Sequence, residues 1–180
     1  LPSSKAAALS ATAMAVLLLA GCGGGGSGSG SARTPAFTLS VSATDDFPGS
    51  FGTVGAYERL SGTLAGELDP RDAKNKVIQD IELAPVNARG MVEYKADFVM
   101  LKPKDMTKAS GVARYDAPNR GNILTMPNPA TTPSDAVYME RGMVVQYSAW
   151  QGDVPKSTPA RLTVSVPVAK NKDGSSITGT

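Results

Sequence analysis

Apolar and polar positions alternate through much of the chain after residue 33. Phe37-Thr38-Leu39-Ser40-Val41 alternates cleanly, and Tyr57 to Leu64 does so less cleanly. Val77 to Leu83 follows, and Met91 to Leu101 is the longest such run. A period of two puts every second side chain on one face, so these segments predict strands of an antiparallel sheet with one wet face. Pro48-Gly49, Asp69-Pro70, Ala84-Pro85 and Lys102-Pro103 punctuate them with turn chemistry.

The pattern changes in the second half. Gly111 to Asp116 is a shorter strand that ends before Pro118. Ser134 to Arg141 predicts a short helix, with Ser134 as N-cap, Asp135 at the positive end and Gly142 just past the C-terminus. Met143 to Trp150 is a mostly apolar strand. Strand, loop, helix and strand within one sheet make a right-handed crossover between parallel strands. Arg161 to Val168 alternates again, with Leu162, Val164, Val166 and Val168 on one face and Pro167 marking an edge or the strand's end. The expected fold class is α/β, rich in strands over this length. Leading antiparallel strands run into a first crossover.

Residues 1–32 read differently. Lys5 is the only charge before Arg33, and the apolar run ends at Ala20. That run is short of the ~20 residues that span a bilayer. A positive start, a short apolar core and small residues at its end describe a signal peptide over residues 1–21. Leu19-Ala20-Gly21-Cys22 resembles the lipobox of bacterial lipoproteins. That resemblance implies cleavage before Cys22 and acylation of its thiol and new amino group, so that the membrane is a partner through a lipid anchor. Each buried CH₂ then contributes ~0.8 kcal/mol. Gly23 in place of Asp favours the outer membrane of the bacterial envelope, facing the periplasm. The other reading of Cys22 is a small buried residue in a hydrophobic helix. Residues 22–32 carry GGGGSGSGS, a linker with an r.m.s. span of roughly 15–18 Å. A phosphate cradle would need a Lys-Ser/Thr pair that is missing here. Residues 33–180 form the folded part. The sequence opens on Leu1 rather than Met, which predicts a chain shortened at its N-terminus.

Composition removes whole classes of chemistry. The 180 residues include no His, so no triad with a His base can be built from them. One Cys supplies at most one thiolate and no internal disulfide, and no metal centre is expected. With 18 Lys and Arg against 16 Asp and Glu, net charge is +2 and no basic block stands out, so no nucleic-acid partner is expected.

Candidate chemistry lies in loops. Asn119-Arg120-Gly121-Asn122 follows a strand end, where open α/β sheets place ligands, and Gly121 lets a turn present backbone N–H groups. Ordinary polar turn chemistry explains the same residues. Trp150-Gln151-Gly152-Asp153-Val154 ends the next strand, either as a close approach at Gly152 or as a strand exit with a packed indole. Asp69, Asp72 and Asn75 bring three oxygen ligands together, but calcium wants about six to eight, and a loop between strands fits better. Asp45-Asp46 reads as a solvated pair before a turn.

An ordered set of segments resembles the bacterial alpha/beta-hydrolase domain proteins. It comprises Phe51-Gly52-Thr53-Val54-Gly55-Ala56-Tyr57-Glu58-Arg59-Leu60, Gly66-Glu67-Leu68-Asp69-Pro70, Leu83 to Tyr94, Asn119-Arg120-Gly121-Asn122, Arg141-Gly142, Trp150-Gln151-Gly152-Asp153 and Asp173 to Gly179. The resemblance implies a serine-type hydrolase of ester-like small molecules that needs no cofactor. It also implies that the nucleophile Ser and the His lie further on, because no G-x-S-x-G elbow occurs here. The chain would then be the N-terminal part of the enzyme, inactive by itself and with an unpaired edge strand. Asn119, Arg120, Gly121 and Asn122 would stand where such hydrolases carry an oxyanion loop, with one Gly and no His in place of an HGGG-type motif. The competing expectation is a complete, non-catalytic, strand-rich envelope lipoprotein that presents an aromatic or polar surface to a glycan or partner.

Overall fold

The computed structural model describes residues 33–155 and 161–178. The expected signal peptide, Cys22 and linker lie outside the described residues. Six strands form one sheet: β1 (Phe37–Phe51), β2 (Gly55–Leu68), β3 (Val92–Pro103), β4 (Ala113–Asp116), β5 (Val144–Ser148) and β6 (Val164–Ser165). Helix α1 (Ala136–Glu140) lies between β4 and β5. The order across the sheet is β1-β2-β3-β5-β4, and β6 shares the edge of β3 that β5 uses. All pairs are antiparallel except β4 with β5. The fold is therefore mixed α/β with a mostly antiparallel sheet and few helices, and the expected crossover between parallel strands is present. Among the described residues β4 has no strand on its outer side. No described helix is long and apolar enough to cross a membrane.

The core lies on one face of the sheet, under α1. Val99 pairs with Tyr147 and Leu101 with Val145, so these alternate positions point the same way. All are buried, together with Phe51, Tyr57 and Met139 of the helix. Phe51 and Tyr57 meet edge to face at 5.5 Å. Tyr57 is fully buried, and its hydroxyl lies 3.1 Å from the Met139 carbonyl and 3.0 Å from that of Met143. Those carbonyls belong to the end of α1 and the residue before β5, so one phenol ties the β2 hairpin to the crossover. On β4, Arg114 stacks 4.7 Å over the ring of Tyr138 of α1.

Three expectations need correction. Val77 to Leu83 is not a strand: Val77 is 89% exposed, and a 3-10 turn occupies Ile81–Leu83. Side chains of Asp69, Asp72 and Asn75 bind nearby backbone groups, and Asp80 adopts φ 55, which breaks extension. Arg161 to Val168 pairs only at Val164 and Ser165. β5 already occupies the β3 edge at Phe98 to Leu101, and Pro167 has no N–H to offer. The predicted helix opens as a 3-10 turn at Pro133–Asp135, so Ser134 lies inside that turn rather than capping it. Asp135 instead accepts the Asn128 N–H at 3.0 Å. Gly142, at φ 66, closes α1 as expected, its N–H reaching Met139 O at 2.9 Å. Asp45-Asp46 lies within β1, with Asp46 paired to Lys104.

Burial pushes the Tyr57 phenol up to about 12 from its ordinary value near 10. A phenol harder to ionise in the fold than in the unfolded chain stabilises fully below pH 10. That contribution is lost as pH rises through 12. Burial raises Tyr147 too, with the same sign. Tyr57→Phe should lower stability at pH 7 by about 1–2 kcal/mol and flatten the alkaline decline. Urea unfolding at pH 7 and across pH 9–12 reads both effects. An unchanged alkaline slope would show that the phenol is not sealed from water.

Candidate functional site

Because β4 and β5 are parallel, their carboxyl ends leave the sheet side by side. After β4, Asn119-Arg120-Gly121-Asn122 forms a tight turn, with Arg120 at φ 47 and Gly121 at φ 77. Two successive positive φ values define a type I′ geometry. Its ends are bonded both ways, Asn122 N–H to Asn119 O at 2.9 Å and Asn119 N–H to Asn122 O at 3.0 Å. A non-glycine residue in this region costs roughly 1–2 kcal/mol, so something must hold Arg120 in place.

The exit of β5 does so. Gln151 Oε1 accepts the Arg120 N–H at 2.8 Å, and Arg120 Nη1 donates to Asp153 Oδ2 at 3.0 Å. Both partners of that ion pair are at least half exposed, so it contributes at most about 1 kcal/mol. Trp150 Nε1 donates to Pro118 O at 2.8 Å just before the turn. The indole itself is 58% exposed, which corrects the expectation of a packed ring. On the far side, the Leu162 N–H reaches Gly121 O at 2.9 Å. Gly121 is buried, and a Cβ there would collide with the Leu162 carbonyl oxygen and crowd Val154. The two loops picked out by sequence are therefore one structure. The bonds that join them cross some thirty residues of chain, and no local pattern announced them.

Three of the four backbone N–H groups in the turn are engaged within the protein. The Gly121 N–H is the one with no partner among the described residues. The turn can thus present one fixed donor, held by glycine geometry and by close packing on Leu162. An oxyanion hole of the hydrolase kind uses two donors.

A polar cluster that sequence reasoning missed lies beneath. Arg114 Nη2 binds Asp116 Oδ2 at 2.9 Å, Thr125 Oγ1 reaches the same carboxylate, and the Tyr147 hydroxyl donates to Thr125 O at 2.8 Å. Alternation on β4 and β5 put Arg114, Asp116 and Tyr147 on one face, which was the available signal. These bonds fasten the chain that follows the turn to the sheet. Asp69, Asp72 and Asn75 shape the loop between β2 and β3, as expected over a calcium site. Asp69 binds Arg71 through Nε and Nη2, which holds its carboxyl below the usual range. Asp72 accepts the Lys74 N–H, and Asn75 donates to Asp69 O. No group of three or more acidic, Cys or His side chains gathers as a metal site among the described residues.

No family model, curated protein or solved structure matches the chain.

Gly121→Ala should cost about 1–3 kcal/mol, from strain at positive φ and from the collision with Leu162. Urea midpoints compare the variant with the wild type; a loss below about 0.5 kcal/mol, the range of ordinary surface changes, would show that the turn is not clamped. Lost turnover in a Gly121 variant therefore reports first on structure, and a clean catalytic test has to use Gln151.

Proposed function

We propose that residues 33–180 are the leading part of a serine-type hydrolase that acts on ester-like small molecules. On this reading the whole protein is held in the bacterial cell envelope by acylated Cys22 and faces the periplasm from the outer membrane. The nucleophile and its His lie outside these residues, so the chain supplies scaffold and one side of the site. The observation that carries the reading is the clamped turn. Asn119 to Asn122 sits at the carboxyl end of the first parallel strand, with Arg120 N–H taken up by Gln151 and the Gly121 N–H without an acceptor among the described residues. Antiparallel lead-in strands followed by a parallel crossover suit the start of a hydrolase sheet. The order of the hydrolase-like segments in the sequence supports the same reading.

In such a site the nucleophile attacks the ester carbonyl, and charge develops on its oxygen. A donor already fixed at that position stabilises the transition state without reorganising. Gly121 N–H is one such donor, and Gln151 positions it by holding the neighbouring amide.

A second reading is a non-catalytic envelope lipoprotein, favoured by the exposed indole of Trp150. A fluorophosphonate reagent separates the two on the full-length protein. The hydrolase reading expects covalent labelling of one Ser, and slower labelling in Gln151→Ala under conditions where the variant is fully folded, its stability lowered by no more than one hydrogen bond, about 0.5–1.5 kcal/mol. Removal of a whole oxyanion donor costs about 10²–10³ in rate; displacing one should cost a part of that. No labelling of the folded full-length protein would leave the lipoprotein reading in place.

A further inference from the structure

One end of the sheet carries the candidate site and most of the exposed apolar side chains. Phe98 pairs with Ser148, so β5 points toward the amino end of β3 and stops halfway along it, and Gly152 in its exit comes beside Val166. Phe37 pairs with Gly66, and Gly66 with Tyr94, so β1 begins here too. Val77 is 89% exposed, Val168 73% and Trp150 58%, and Val86 and Val166 are each more than half exposed. Tyr94, Val166 and Pro167 are shared by two open grooves of about 660 and 500 Å³, with Val86 in one and Ile78 in the other. Scattered exposed aliphatics are ordinary, but a cluster rimmed by polar groups marks a contact surface.

The path of the chain indicates what that surface meets. Ala36 and Thr38 line the larger groove, and Ala36 N–H is fixed by Glu67 Oε2 at 3.0 Å. Arg33 donates to the Arg89 carbonyl beside it. The described chain therefore begins at the rim of this patch, eleven residues along the sequence from Cys22 through a Gly/Ser stretch. The r.m.s. span of that stretch is roughly 15–18 Å. The opposite end of β3 stands about 40 Å further off, at ~3.3 Å per residue. A chain tethered through Cys22 can bring this end to a bilayer far more readily than the other. The segment 69–93, which runs from β2 into β3, carries Arg71, Lys74, Lys76 and Arg89 against Asp69, Asp72, Asp80, Glu82 and Glu93, so neither sign dominates. Adsorption would rest on apolar insertion and hardly change with salt. Indole rings settle well at a membrane interface.

We propose that this end of the sheet lies on the membrane surface, with Val77, Val86, Trp150, Val166 and Val168 in the headgroup region and the clamped turn facing the bilayer. The proposal rests on the reading that Cys22 is acylated. Acylation consumes the only thiol of these 180 residues, so with any Cys outside them replaced by Ser, Val77→Cys, Val168→Cys and Met106→Cys each add one site for a spin label. Met106 follows Pro103, which pairs with Tyr57 at the opposite end of the sheet, and serves as the reference. The full-length lipidated protein is placed in phosphatidylethanolamine–phosphatidylglycerol vesicles, and collisions with oxygen and with an aqueous nickel chelate are read. The expected result is lost nickel access and gained oxygen access at 77 and 168, unchanged by high salt, with position 106 open to nickel. Nickel access at 77 and 168 equal to that at 106 overturns the proposal. Loss of both reagents at 77 and 168 also overturns it, because protein then covers the patch. A label on that background before any Cys is added would mean a free Cys22 and would sink the anchor reading, and with it the tether argument for this surface. The proposal is then decided by the same contrast at 77 and 168 after vesicles are added.

Discussion

Strand β3 gives one edge of its backbone to β2 along the whole of Val92–Pro103 and divides the other edge between β5 and β6. That division fixes much of the rest. β5 takes Phe98 to Leu101, which sets Val145 and Tyr147 against Val99 and Leu101 and creates the core beneath α1. β6 is left with Lys95 and Ala96, so the chain after Leu162 pairs briefly and then runs outward. The Asp97 side chain sits at the seam, accepting Thr163 N–H at 2.9 Å and Thr163 Oγ1 at 2.8 Å while its backbone carbonyl takes the Ala149 N–H at 2.8 Å. One residue of β3 thus holds the exit of β5 and the approach to β6 in fixed relation. Those two segments are the walls against which the Asn119–Asn122 turn is clamped.

The turn illustrates how strain is kept in place by its surroundings. Arg120 in a left-handed conformation is unfavourable by itself. It persists because its N–H goes to Gln151, its guanidinium to Asp153, and the following carbonyl to Leu162. Non-glycine residues in such conformations gather at binding and catalytic sites, where the neighbouring structure over-determines them. The position of this one, beside an N–H with no acceptor among the described residues, is what makes the corner a candidate site rather than a simple bend. The polar cluster of Arg114, Asp116, Thr125 and Tyr147 does the complementary work below, tying the chain after the turn to β4 and β5.

Much of the sheet was legible in the sequence. Met91 to Leu101 alternates over a long run, and it became the central strand because such a run can pair on both edges. The crossover was legible because Pro133, Gly142 and the apolar run from Met143 bound it on both sides. Val77 to Leu83 shows why alternation alone is insufficient. Its pattern matches a strand, but Asp69, Asp72 and Asn75 bond to backbone groups nearby and the segment turns. Arg161 to Val168 alternates as well, yet the edge it would use is already taken by β5, a fact of topology that the segment does not encode. For the site, Asn119 to Asn122 and Trp150 to Asp153 were each identified locally. Their union was not, because a side-chain bond from Gln151 to a backbone amide thirty-one residues away leaves no periodic trace.

The central claim is that the turn is a rigid corner fixed by Gln151, not a solvent loop. Residue-resolved amide hydrogen exchange on the full-length protein tests it most directly. The account predicts slow exchange at Asn119, Arg120 and Asn122 in the wild type. In Gln151→Ala it predicts loss of protection at Arg120 while Asn119 and Asn122, bonded to each other, keep theirs. Arg120 exchanging as fast in the wild type as in the variant would contradict it.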